Sequence, residues 1–429
     1  MLYERWLAVA QEGGSELALH DLAADRRWTF AQLQEVCESA PSLPGVPLAL
    51  PTGANVEFVL CVLRAWRAGR IVCPLEPGQA PPSDLAGLPT NCVHLKTTSA
   101  TTGAPRCIAF TASQLIADAA NIVSTMGLRP DWPNLGVISL GHSYGFSNLV
   151  LPLLLHGIPL ILGDSPLPET VRRAATTAPF ITLPGVPALW RAWVDAQAIP
   201  HNVKLAISAG APLSEKLESQ IFSRSGIKVH NFYGSSECGG IAYDRTETPR
   251  SDAACVGTPL ENVQLSIADD GCIAVRGPAV GLTYWPQPEG RLRDGCFHTS
   301  DLAEISNGQV FLRGRASDQI NVAGRKIAPE LIERVLASHP SVADCLVFGV
   351  PSEGPERGEK VVACVVTRSS VSESELKTFV SERSPSWQAP REWWFVSSLQ
   401  TNERGKLSRA EWRERFLARQ RCDSRTASD

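Results

Sequence analysis

Apolar positions along the chain fall into two alternating periods. Val56 to Ala68 (VEFVLCVLRAWRA) places its apolar residues at helical spacing and stops before Gly69, which predicts an amphipathic helix. Arg70 to Pro74 follows as a short buried strand. Similar β-branched or aromatic runs recur at 203–208 (VKLAIS), 227–233 (IKVHNFY) and 343–350 (ADCLVFGV), each running into Gly, Ser or Pro. Helices alternating with short apolar strands predict an α/β protein. The greasiest stretch, 148–162, is interrupted by Pro152, His156 and Pro159, so it reads as buried core and not as a membrane span.

The pattern changes near residue 314. Gln309 to Arg313 reads as a strand closing one domain, and GRASDQINVAG as a polar connector. After it come a helix (329–338), two strands (343–350 and 360–367) and a second helix (373–383), a compact α+β unit of small-domain size. This predicts a large domain over 1–314 and a small one over 315–429. The polar end, RQRCDSRTASD, reads as disordered.

With 429 residues, 44% hydrophobic and 20% charged, the composition is that of a soluble globular protein. A net charge of -4 argues against nucleic acid or an anionic membrane as the main partner. The amino terminus has no signal-peptide pattern, and the 12 cysteines form no C-x-x-C pair or zinc-spaced cluster. Reduced, mostly buried thiols in a cytoplasmic protein are expected.

Four segments carry candidate chemistry. TTSATTGAPR at 97–106, between a strand at 93–95 and a helix from about Thr111, offers hydroxyls, backbone N–H groups and Arg106 to a phosphate. NFYGSSE at 231–237 brings a strand to a tight turn at Gly234, with Ser235, Ser236 and Glu237 at its carboxyl end, where ligands of open α/β sheets collect. A carboxylate beside two hydroxyls suits Mg²⁺ on nucleotide phosphates. HTSDLAE at 298–304, followed by Arg315, offers Asp301 to ribose hydroxyls, and Lys406 follows a Gly near the end. Each segment alone is compatible with a solvated turn or a surface ion pair.

Taken together and in this order, they resemble the adenylate-forming superfamily, which includes acyl- and aryl-CoA synthetases and the adenylation domains of peptide synthetases. TTSATTGAPR resembles its phosphate loop, SAGAPLS (208–214) its adenine segment, NFYGSSE its Y-G-x-T-E motif and HTSDLA its T-G-D motif. GRASDQINVAGRKIAPELIE resembles its hinge and thiol-tunnel segment, and ERGKLSR its terminal G-K-x-x-R. The resemblance implies a large N-terminal domain of mixed sheets flanked by helices and a small mobile C-terminal α+β domain. It implies ATP and Mg²⁺ as cofactors, and the pantetheine thiol of CoA or of a separate acyl carrier protein as acceptor.

By the same resemblance Thr98, Ser99, Thr101, Thr102, Gly103 and Arg106 hold pyrophosphate, and Gly210, Ala211 and Pro212 flank adenine beside Asn231, Tyr233 and Gly234. Ser236 contacts the α-phosphate and Glu237 holds the metal. Asp301 holds the ribose with Arg315, Lys326 stands at a phosphate-contacting position, and Lys406 bridges carboxylate and α-phosphate. The segment GVISLGHSYGFSNLV (136–150) resembles the acid-pocket segment, with His142, Gly145 and, from the Glu237 motif, Gly239 around the acid. It contains no acidic residue to hold an α-ammonium, so the expected substrate is a carboxylic acid without an α-amino group. His142 as a core histidine is the other reading of that residue.

The chain departs from the family pattern at Ala100 (usually Gly), Arg106 (usually Lys), Ser300 (usually Gly), Ser317 (usually Asp or Lys) and Lys326 (often Arg). It also has only 20 residues between Pro77 and Thr98, far fewer than typical members. The shortening raises homodimerisation as compensation, and a non-catalytic nucleotide-binding member as an alternative to a ligase.

Overall fold

A computed structural model of the chain describes residues 1–40, 47–82, 85–98, 106–352, 358–400 and 407–426, with side chains described to residue 421. The chain divides into two compact units. The first comprises residues 1–268, 274–299 and 305–311, and the second residues 269–273, 300–304 and 312–429.

In the first unit, hydrogen-bonded strands run in the order Cys255–Pro259, Gly239–Tyr243, Val229–Ser235, Val203–Ala209, Ile181–Gly185, Asn134–Gly136, Leu160–Leu162, Leu17–Asp21 and Arg26–Thr29. The middle of this run is parallel and its two ends turn antiparallel. Parallel strands need both faces covered, so their sequences read as continuous apolar runs. One face packs on Trp190, Trp193, Leu213, Leu217 and Ile221. Another cluster gathers Ile122, Met126, Ile207 and Phe232.

A second sheet has the order Thr283–Trp285, Cys107–Phe110, His94–Thr97, Ile71–Val72 and Leu48–Ala49. The amphipathic helix expected over 56–68 forms at Val56–Arg67, capped by the Asn55 side chain accepting from Phe58 N–H at 3.1 Å. The helix expected from about Thr111 forms at Ala112–Met126 with Thr111 as its cap, and a strand not foreseen in the sequence lies before it. That strand, Cys107–Phe110, pairs antiparallel with His94–Thr97. Thr111 and Gln114 cap the helix reciprocally.

The second unit holds the strands Val342–Pro351, Glu359–Thr367 and Glu392–Phe395, with the helices Pro329–Ala337 and Glu373–Ser381. The polar carboxyl end is not irregular: Arg409–Thr426 is helical. Trp412 and Phe416, one turn apart, bury their rings against Trp394 and Phe348 and tie an otherwise polar helix to the sheet. No helix among the described residues is long and apolar enough to cross a membrane.

Candidate active site

The adjacent parallel strands Val203–Ala209 and Val229–Ser235 end side by side, with Ser208 opposite Asn231 and Ala209 opposite Phe232. Gly210, Ala211 and Pro212 leave the first at its carboxyl end, and Gly210 takes φ +83°, a conformation open to glycine. Asn231 is buried and Tyr233 half-buried on the second. Gly234 lies within the strand. The turn sits later, at Ser236–Cys238, and delivers Glu237 at the point where the chain reverses into Gly239–Tyr243.

Around Glu237 the sheets converge. Tyr284, on the edge strand of the smaller sheet, donates its hydroxyl to Glu237 Oε1 at 3.0 Å. Burial, and then the Glu237 carboxylate itself, push the Tyr284 phenol up, so it stays a donor. Ser236 Oγ lies 2.9 Å from Ser143 Oγ, joining this turn to the segment that carries His142. His142 caps a short helical turn, its Nδ1 accepting from Tyr144 N–H at 3.2 Å. Gly145, buried in that turn, packs where a Cβ would lie 2.0 Å from the Ser139 carbonyl oxygen.

The base of the 98–106 loop is closed by Thr98, whose N–H and hydroxyl donate to the Arg106 carbonyl at 2.8 and 3.1 Å. The Arg106 guanidinium donates to Glu289 Oε2 at 2.6 Å and stands 5.7 Å from the Tyr284 ring centre. Ser99, Thr101, Thr102 and Gly103 lie outside the described residues, as does Lys406.

Beneath these groups is a buried ion pair that the sequence reading passed over. Lys96 Nζ donates to Asp118 Oδ2 at 3.2 Å and to Ser147 Oγ at 3.0 Å, and Ser147 Oγ donates to the same Oδ2 at 2.6 Å. Both charged side chains are almost wholly out of solvent. The ammonium also sits 4.7 Å from the Phe110 ring centre. Gly239, at φ +70°, backs onto Asp118, and a Cβ there would fall 1.9 Å from Oδ1. The missing side chain of Gly239 thus admits the Asp118 carboxylate. The signal available in the sequence was a lysine inside the strand His94–Thr97.

In the second unit, Arg315 Nε donates to Asp301 Oδ1 at 2.9 Å, bringing those two candidate ribose contacts together. Lys326 is exposed on the hairpin Ile320–Val322/Arg325–Ile327. Arg409, three residues after Lys406, is held by three carboxylates. Its Nη1 lies 2.9 Å from both Asp318 and Glu330, and its Nη2 2.7 Å from Glu333, while Nε donates to the Val347 carbonyl at 3.1 Å. Burial pushes the Glu333 carboxyl up to about 7, against the pull of Arg409.

A single half-buried carboxylate suits a divalent cation that takes its remaining ligands from phosphate and water. Glu237 provides that: its described hydrogen bond uses Oε1, and no group of three or more His, Cys, Asp or Glu residues is present among the described residues to hold a metal alone.

Known proteins decide the family. The profile of the AMP-binding enzymes matches residues 86–285, and that of the AMP-binding enzyme C-terminal domain matches 331–406. The chain belongs to the AMP-binding, adenylate-forming enzyme family, in its acyl- and aryl-CoA synthetase branch. It is similar to a 4-coumarate–CoA ligase of Pinus taeda, at 27% identity over 77% of this chain and 67% of that one. A feruloyl-CoA synthase of Amycolatopsis sp is 29% identical over 87% of this chain and 79% of its own. In fold, the adenylate-forming chain matches ATP-bound MatB from Rhodopseudomonas palustris with a TM-score of 0.84 at 20% identity, covering 97% of this chain and 99% of that one. The o-succinylbenzoate CoA synthetase of Bacillus subtilis in complex with its acyl-adenylate matches with a TM-score of 0.80 at 22% identity, covering 95% and 97%.

Proposed function

We propose that this adenylate-forming enzyme joins a carboxylic acid lacking an α-amino group to the α-phosphate of ATP, releasing pyrophosphate, and then passes the acyl group to the thiol of CoA. The carrying observation is the Glu237 turn. Its carboxylate is held by Tyr284 at 3.0 Å, Ser236 beside it is tied to the acid segment through Ser143 at 2.9 Å, and the adenine segment ends on the neighbouring strand.

In the first half-reaction an acid oxygen forms a bond to the α-phosphorus as the bond to pyrophosphate breaks. Two anions must approach, and negative charge grows on the leaving oxygens. Mg²⁺ bound at Glu237 would neutralise part of that charge. Ser236 would donate to the α-phosphate, Arg106 would face the leaving group, and Lys406 would bridge the acid and the α-phosphate. Asn231, Tyr233 and Gly210–Pro212 would border the base, and Asp301 with Arg315 the ribose. In the second half-reaction the thiolate forms the C–S bond and AMP leaves. The absence of an acidic residue between Gly136 and Val150 supports an acid without an α-ammonium. Names of the relatives, 4-coumarate–CoA ligase and feruloyl-CoA synthase, support CoA as acceptor.

Acid-dependent exchange of radiolabelled pyrophosphate into ATP tests this directly. Glu237→Gln should lower exchange on the order of a hundredfold, the usual loss for one transition-state contact. Exchange unchanged by that substitution would overturn the assignment.

A further inference from the structure

Arg106 meets a carboxylate of its own chain. Its guanidinium donates to Glu289 Oε2 at 2.6 Å and leans over Tyr284, whose hydroxyl binds Glu237. Glu289 is anchored in place: its carbonyl accepts from Leu292 N–H at 3.1 Å, and the preceding strand Thr283–Trp285 pairs with Cys107–Phe110, which directly follows Arg106. Arg106 immediately precedes one of these strands and Glu289 lies in the loop beyond the end of the other, so the Trp285–Cys107 pairing brings the two segments to the same end of the sheet. Glu237 and Glu289 both push the Tyr284 phenol up, while Arg106 pulls it down.

A carboxylate on a guanidinium presents the same pair of acceptor oxygens as a phosphate. We infer that Glu289 stands in for phosphate on Arg106 in the nucleotide-free protein and competes there with the pyrophosphate part of ATP. This rests on the proposed role of Arg106 and adds a function for a residue outside the nucleotide motifs. The competition works in both directions. An arriving polyphosphate must displace Glu289 from the arginine. As pyrophosphate leaves, Glu289 retakes the guanidinium and shortens the residence of the product. The side chains are 54% and 42% exposed, so the exchange of partners needs no unfolding, and the pair itself is weak enough to open.

The test is titration calorimetry of the full chain with magnesium pyrophosphate and with magnesium ATP, on wild type, Glu289→Gln, Arg106→Gln and the double variant. Both positions are exposed, so the substitutions leave the core alone. Glu289→Gln is expected to bind pyrophosphate about two- to fivefold more tightly, the range open to an exposed ion pair. Arg106→Gln should bind more weakly. In the Arg106→Gln background, the Glu289 substitution should bring no gain, because the contested cation is gone. An unchanged or weakened affinity in Glu289→Gln overturns the inference. So does an equal gain in both backgrounds, which would mean only a diffuse field effect of one charge. If Arg106→Gln binds as well as wild type, or wild type binds neither ligand, the nucleotide-site assignment itself falls. If Arg106→Gln weakens binding and Glu289→Gln has no effect, only the competition falls.

Discussion

The hydroxyl of Tyr284 donates to Oε1 of Glu237 at 3.0 Å, across two different sheets of the first unit. In the proposed role of Glu237 as the metal-holding carboxylate, removing this donor costs the carboxylate its orientation. Hydrogen bonds to charged groups contribute about 1.5–3 kcal/mol, so Tyr284→Phe should lower kcat/KM about tenfold or more. The magnesium concentration for half-maximal rate should rise with it. A magnesium titration of pyrophosphate exchange checks this. A variant with wild-type magnesium dependence would confine Tyr284 to packing.

Lys96 and Asp118 are a buried pair in which either partner alone is an uncompensated charge. Lys96→Met should therefore destabilise the first unit by about 3–5 kcal/mol, and replacing both by apolar residues should recover most of it. Gly239→Ala meets the same carboxylate, with a Cβ 1.9 Å from Oδ1. Its penalty should shrink in an Asp118→Ala background, because part of the strain is that contact. Urea unfolding of the single and double variants gives the coupling directly.

Much of this architecture can be read from the residues. The helix at Val56–Arg67 and the strands at Val203–Ala209 and Val342–Pro351 follow from local periodicity, which needs no distant partner. The Glu237 turn was legible as a strand running into Gly and Ser, although the reversal lies at Ser236–Cys238, beyond Gly234. What stayed hidden depends on residues far apart in sequence. Arg106 finds Glu289 and Tyr284 only because two strands pair, and Lys96 finds Asp118 and Ser147 only because a helix and a turn pack over one strand. The carboxyl-terminal helix was missed because just two of its positions, Trp412 and Phe416, carry the burial against a strongly polar background.

Arg409 gathers Asp318, Glu330 and Glu333, and burial, with a smaller push from Glu330, raises Glu333 to about 7 against the pull of Arg409. A carboxyl whose folded pKa lies above its unfolded value of about 4.3 favours folding most below that value. Its contribution is lost as pH rises through about 7. Wild type should therefore lose stability, relative to Glu333→Gln, between about pH 5 and pH 7.5. Thermal melts of the two proteins across this range test the sign. Parallel curves would show that Glu333 is ionised throughout.

The most direct measurement is of products. Pure protein is incubated with magnesium ATP, CoA and a panel of aliphatic, aromatic and dicarboxylic acids, beside a Lys406→Ala control, and mass spectrometry follows nucleotides and acyl species. The account predicts acyl-AMP and acyl-CoA from at least one acid, with AMP formed in step with the thioester and both lost in the control. ADP in place of AMP, or ATP bound without adenylate from any acid, would contradict it.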